Sequence, residues 1–168
     1  VVAPAPTKLT RQVSSVFSNP YPNTCSTTYD NYGGPAVATV TPVRNNATLK
    51  ISNMGRLGIN LIGGVDVSTM TSLHLDIFSL NATKYNLILF NYSAGNPQTL
   101  FPLTTTLNGW NSFEIPLTGL TKVDQILLVA SPDAINTIAS TTTTGVAYVD
   151  NIYFWNNIVT KLSTCGIT

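Results

Sequence analysis

Turn signals break this chain about every ten residues, and no stretch between them holds a capped 3.6-residue period. The breaks are Asn19-Pro20-Tyr21-Pro22-Asn23, Gly33-Gly34-Pro35, Asn45-Asn46, Met54-Gly55, Gly63-Gly64, Gly95-Asn96-Pro97, Asn108-Gly109 and Ser131-Pro132-Asp133. The segments between them are short and rich in β-branched and aromatic residues. Residues 72–79 alternate cleanly, with Leu73, Leu75 and Ile77 on one side and His74, Asp76 and Phe78 on the other. Residues 85–92 and 123–130 are almost wholly apolar, as strands covered on both faces are. Shorter runs fall at 36–41, 48–52, 57–62, 98–104, 110–116 and 158–162, while 19–35 reads as loop. About ten short strands with turns between them predict an all-β sandwich or jelly roll. Residues 1–7 carry two prolines and no periodicity, residues 8–17 alternate loosely as a first strand, and the chain divides into an extended N-terminal arm (1–12) and one sandwich domain (13–168).

The strongest strand signal is 145–155, Gly-Val-Ala-Tyr-Val-Asp-Asn-Ile-Tyr-Phe-Trp. Both alternating sets are largely apolar, which places this strand near the centre of a sheet. Asp150 and Asn151 interrupt it. A carboxylate at a covered position has to be hydrogen-bonded, ion-paired or metal-bound.

Composition narrows the partners. Charged residues make up 9% of the chain and the net charge is +1, so nothing draws it to nucleic acid or an anionic membrane. No apolar run is long enough for a membrane-spanning helix. The start Val-Val-Ala-Pro-Ala-Pro lacks an initiator Met and predicts a secreted chain whose leader has been removed. Sequons at Asn46, Asn81 and Asn91 are candidate sites for N-linked glycans. Cys25 and Cys165 lie near opposite ends and form either one disulfide or two buried thiols; the secreted context favours the disulfide. Catalytic signatures are missing: there is one histidine, one glutamate (Glu114), and no nucleophile elbow, metalloprotease motif or phosphate loop. The chain reads as a non-enzyme.

Six segments occur in order: Val16-Phe-Ser-Asn-Pro-Tyr21, Asp30-Asn-Tyr-Gly-Gly34, Val65 through Phe78, Gly109-Trp-Asn-Ser-Phe-Glu-Ile-Pro-Leu117, Val123-Asp-Gln-Ile-Leu-Leu128 and Tyr148-Val-Asp-Asn-Ile-Tyr-Phe154. Together they resemble the β-sandwich carbohydrate-binding modules appended to secreted bacterial glycoside hydrolases of the laminarinase and agarase kind, over roughly 13–155. The resemblance implies a galactose-binding-like jelly roll, secretion and a non-catalytic role. The chain departs from the family pattern in having Asn19 for Asp, and Tyr32 and Phe78 for Trp.

Two functions follow as expectations. In the first, the sparse charge and the extended arm make the chain a structural subunit of an extracellular fibre or surface layer. Its partners are other copies of itself, and the arm is inserted as a strand into a neighbour with Val2, Leu9 and Val13 filling pockets. The alternative is the polysaccharide-binding role that the resemblance implies, with Tyr29, Tyr32, His74, Asp76 and Phe78 around the sugar, since a pyranose stacks on aromatic faces and needs fixed polar groups. Asp150 is the best candidate for a structural calcium ligand, with Asn19 as its companion; its other reading is a carboxylate that accepts hydrogen bonds from a neighbouring loop.

Overall fold

The computed structural model describes residues 1–130 and 145–158. These residues form two antiparallel sheets packed face to face, a jelly-roll β-sandwich. The strands are β1 (Val13–Phe17), β2 (Thr27–Asp30), β3 (Val37–Val43), β4 (Asn46–Ser52), β5 (Arg56–Asp66), β6 (Ser72–Ser79), β7 (Lys84–Phe90), β8 (Gln98–Thr104), β9 (Trp110–Pro116), β10 (Lys122–Ala130) and β11 (Val146–Trp155). The only helical pieces among the described residues are 3-10 turns at Thr10–Gln12 and Tyr92–Ala94, so no described helix is long and apolar enough to cross a membrane. The 158–162 segment expected as a last strand lies, beyond Ile158, outside the described residues.

One sheet runs β3-β4-β11-β6-β9 with β1 also on β11; the other runs β2-β5-β10-β7-β8. The alternation of the strands sends Leu49, Ile51, Leu73, Leu75, Ile77, Ala147 and Val149 inward from the first sheet, and Leu57, Ile59, Leu87, Leu89, Ile126 and Leu128 inward from the second. Each of these larger side chains, removed from water, contributes about 1.5–3 kcal/mol.

β11 changes neighbours halfway along one edge. Val146–Val149 pair with β4, whereas Ile152–Trp155 pair with β1. On its other edge β6 runs alongside throughout, with a register break between Asp150 and Tyr153. The hand-over falls on Asp150 and Asn151, and Asn151 adopts a left-handed backbone (φ 52°). A ladder interrupted at a buried position leaves backbone groups that side chains must satisfy. That is why the two polar residues of this strand sit where they do.

Two expectations are corrected. Gly63-Gly64 is not a turn between strands: β5 runs through it, and the register against β10 shifts between Val123 and Gln125. The glycines, at φ 81° and 71°, form a bulge that a non-glycine residue would strain. Thr27–Asp30, taken as loop, is an edge strand on β5.

The arm lies on its own domain, across the outer face of the six-stranded sheet. Trp110 Nε1 donates to the Val1 carbonyl (3.0 Å), Asn151 Nδ2 to the Pro4 carbonyl (2.8 Å) and the Tyr21 hydroxyl to the Lys8 carbonyl (2.6 Å). Val2 and Leu9 are 39% and 50% exposed, so they fill no core position. Val13 belongs to β1 rather than the arm and is buried opposite Trp155. Arm insertion into a neighbouring copy gains no support from this placement.

Candidate functional site

The five residues expected around a sugar do not meet. His74, Asp76 and Phe78 share the outer face of β6, in the six-stranded sheet, while Tyr29 and Tyr32 belong to the other sheet and the loop beside it. Tyr29 stands opposite Ile59 on the inward side of the edge strand, where burial raises its hydroxyl pKa against the lowering bond to Thr27. His74 is 13% exposed, stacked on Tyr153 (centroids 4.7 Å) and held between Glu114 (2.6 Å) and Asp76 (3.4 Å). Asp76 also accepts from Ser112 Oγ (2.5 Å) and Asn151 Nδ2 (2.7 Å) and is 1% exposed. Phe78 packs edge-on against Trp110 and Tyr148. His74 and Asp76 are thus committed to one another and to their neighbours.

Tyr32 is differently placed. The turn Asp30–Gly34 carries it at φ 55°, with Asp30 Oδ1 accepting the Tyr32 N–H (2.7 Å) and Asn31 Oδ1 the Gly33 N–H (3.1 Å). Such Asx turns hold a left-handed residue that would otherwise be strained. The turn projects Tyr32 over the outer face of the five-stranded sheet. Its hydroxyl donates to Gln125 Oε1, and Gln125 Nε2 donates to Asn60 Oδ1 (2.6 Å). The Arg56 guanidinium lies 4.9 Å from its ring centroid and donates to its carbonyl (3.3 Å). Tyr92 comes from the 3-10 turn after β7, stacked on Phe90 (5.7 Å) and anchored by its N–H to Asp124 Oδ2 (2.7 Å). Burial and the neighbouring Tyr32 hydroxyl push the Tyr92 hydroxyl up to about 12. Two tyrosines, 37% and 47% exposed, therefore sit side by side above buried Gln125.

Gly58 makes this possible. It lies between Asp30 of β2 and Leu127 of β10, and a Cβ there would fall 2.6 Å from Gln125 Nε2. The missing side chain is the space that Gln125 occupies. Tyr92, Arg56, Asn60 and Gln125 were not singled out from sequence. The signal was there: Asn60 and Gln125 are outward polar residues inside apolar strands, in register with each other.

At the β11 hand-over, Asp150 and Asp76 face each other in register, each 1% exposed. Burial, with the Asp76 charge adding to it, raises the Asp150 pKa against the lowering bonds from the Asn151 N–H (2.7 Å) and Asn46 Nδ2 (2.5 Å). Burial acts the same way on Asp76, but the bonds from His74, Ser112 and Asn151 outweigh it and bring its pKa down. Calcium needs several oxygens turned to one point. Here amide N–H groups face both carboxylates, and no three His, Cys, Asp or Glu residues among those described gather to hold a metal. Asn19 does not reach Asp150; it bonds to Asn46, which stands between them. The residues as arranged do not fit the cation.

The sequons differ. Asn46 is tied through Nδ2 to Asp150, and Asn91 donates through Nδ2 to Thr121 (3.3 Å). Asn81 is exposed and uses only Oδ1, which accepts from the Val146 N–H (2.9 Å). Cys25 is buried in the core; Cys165 lies outside the described residues.

Comparison with solved structures matches this architecture to carbohydrate-binding modules. A family 29 carbohydrate-binding module aligns with a TM-score of 0.58 at 14% identity, over 84% of this chain and 89% of that one. The family 11 module of a cellulosomal cellulase from Clostridium thermocellum gives a TM-score of 0.58 at 14% identity, over 86% and 94%. A family 29 module complexed with mannohexaose gives 0.53 at 12% identity, over 84% and 88%. The likeness is one of fold. No family model and no curated protein matches the chain.

Proposed function

We propose that this chain is a secreted, non-catalytic carbohydrate-binding module that holds a polysaccharide on the outer face of the five-stranded sheet. The observation that carries the reading is the pair of half-exposed tyrosines, Tyr32 and Tyr92, set beside the fixed polar groups Gln125, Asn60 and Arg56. Aromatic rings offer the flat apolar surface on which sugar C–H groups stack, and pre-set amides and a guanidinium read hydroxyls with little loss of side-chain entropy. The fold shared with solved carbohydrate-binding modules supports the reading. Self-assembly through the arm has no comparable support, because the arm is seated on its own domain.

Affinity electrophoresis in gels containing mannan, mixed-linkage β-glucan or cellulose derivatives tests the assignment. At least one polymer should retard the protein, and Tyr32→Ala and Tyr92→Ala should each weaken retention by about tenfold, the loss of one stacked ring. Free migration in every gel, or retention that neither substitution changes, would refute it.

A further inference from the structure

The outer face of the six-stranded sheet holds its own chain in an unusual way. Three side chains from three separate segments each donate one hydrogen bond to a carbonyl of the arm: Trp110 on β9 to Val1, Asn151 on β11 to Pro4, and Tyr21 after β1 to Lys8. The arm contributes no side-chain acceptor to these bonds and pairs with no strand. These three bonds read the main chain of the arm.

The captured segment is Val-Val-Ala-Pro-Ala-Pro-Thr-Lys-Leu. Its prolines fix φ near −65°, and a proline-rich segment adopts the extended three-residue helix that has no internal hydrogen bonds. In that helix carbonyls three residues apart, such as those of Val1 and Pro4, project to the same side about 9 Å apart. An extended proline-rich peptide is held by indole, phenol and amide donors in an aromatic groove, because its carbonyls are free and little entropy is lost on binding. This face supplies that set. Val1, itself 85% exposed, lies at the rim of an open cleft of ≈ 430 Å³ walled by Phe78, Trp110 and Tyr148. Val2–Pro6 lie along a second hollow beside Asn151. At the far end the Lys8 ammonium sits 3.4 Å from the Trp155 ring centroid.

We propose that this face is a binding groove for an extended, proline-rich peptide, and that its occupant is the chain's own residues 1–9. The groove lies on the opposite sheet from the tyrosine platform and is independent of what that platform binds.

The test uses the full chain and a variant, Pro4→Gly/Pro6→Gly, which keeps every donor but makes the free arm floppier. Hydrogen exchange of the Trp110 indole N–H, read by NMR, should be about tenfold faster in the variant. A synthetic peptide Val-Val-Ala-Pro-Ala-Pro-Thr-Lys-Leu added to that variant should shift the Trp110 indole resonance saturably. Tyr21→Phe in the same background should weaken the peptide about fivefold, the loss of one bond. Equal exchange in the two proteins, absence of a saturable shift, or affinity untouched by Tyr21→Phe would each overturn the proposal. So would a shift caused by gluco- or manno-oligosaccharides and not by the peptide, since the face would then be a sugar site.

Discussion

Replacing Asn151 by glycine and by alanine separates two contributions that the β11 hand-over combines. The side chain donates to Asp76 (2.7 Å) and accepts from the Ser18 hydroxyl (3.0 Å), and the residue is 3% exposed. Both substitutions remove these bonds. A hydrogen bond to a buried charge contributes about 1.5–3 kcal/mol and a neutral one about 1, so Asn151→Gly should cost about 3 kcal/mol. The bond to Pro4 reaches the exposed arm, where water replaces it, and adds little. Alanine loses the same bonds and must also hold φ near 52°, a left-handed conformation that costs a Cβ-bearing residue about 1 kcal/mol more than glycine. Asn151→Ala should therefore cost about 4 kcal/mol. At about 2–4 °C per kcal/mol for a domain of this size, thermal unfolding followed by circular dichroism should show Tm lower by about 6–12 °C for glycine and by about 8–16 °C for alanine. The ordering is the sharper half of the prediction. Glycine equal to or worse than alanine would refute the backbone argument. Both variants within about 0.5 kcal/mol of wild type would refute the claim that the polar cluster stabilises the hand-over.

Gly58→Ala should push Gln125 off Asn60 and Tyr32, because its Cβ would arrive 2.6 Å from Gln125 Nε2. Overpacking there should cost about 1–2 kcal/mol of stability in urea unfolding while polysaccharide retention falls several-fold; unchanged retention would detach Gln125 from the site. Burial lowers the His74 pKa, but the bonds and charges of Asp76 and Glu114 outweigh it and leave the value raised. A raised pKa stabilises the fold below the unfolded value near 6.5 and loses that contribution as pH rises through the folded value. The stability gap between wild type and His74→Gln should accordingly shrink from about pH 6 to about pH 9, and a constant gap would show that the imidazolium does not contribute. The lowered pKa of Asp76 acts with the opposite sign, so the pair also weakens in acid as pH falls through the Asp76 value.

The fold was largely legible because it rests on signals that are local. Turn chemistry and two-residue alternation placed the strands from Ser72–Ser79 to Lys122–Ala130 close to where they lie. What misled was again local chemistry read without its partner. Gly63-Gly64 has the composition of a turn, yet only the β10 register shows it to be a bulge. Thr27–Asp30 is an edge strand whose pattern is half-buried and short, so nothing apolar marked it. The site was legible in part. Tyr32 was found as a loop aromatic within the segments that carry the family resemblance; His74, Asp76 and Phe78 were grouped with it because alternation tells which residues share a face of one strand, not which sheet that strand joins.

The same limit bears on the outer faces of the two sheets. In a sandwich both sheets turn apolar residues inward, so inward positions carry no information about what is bound outside. Outward positions do, where a polar residue interrupts an otherwise apolar strand and its cross-strand neighbour is polar too. Asn60 and Gln125 are such a pair on β5 and β10, and Asp76 and Asp150 are another on β6 and β11. In the first pair Gln125 is 1% exposed and accepts a hydrogen bond from the half-exposed Tyr32. The second is closed by amides from Asn46 and Asn151, and Asn151 also donates to the arm carbonyl of Pro4. Two similar signals in the sequence therefore end in different surroundings, one beneath a half-exposed tyrosine, the other at a strand junction that also holds the chain's own N-terminal segment.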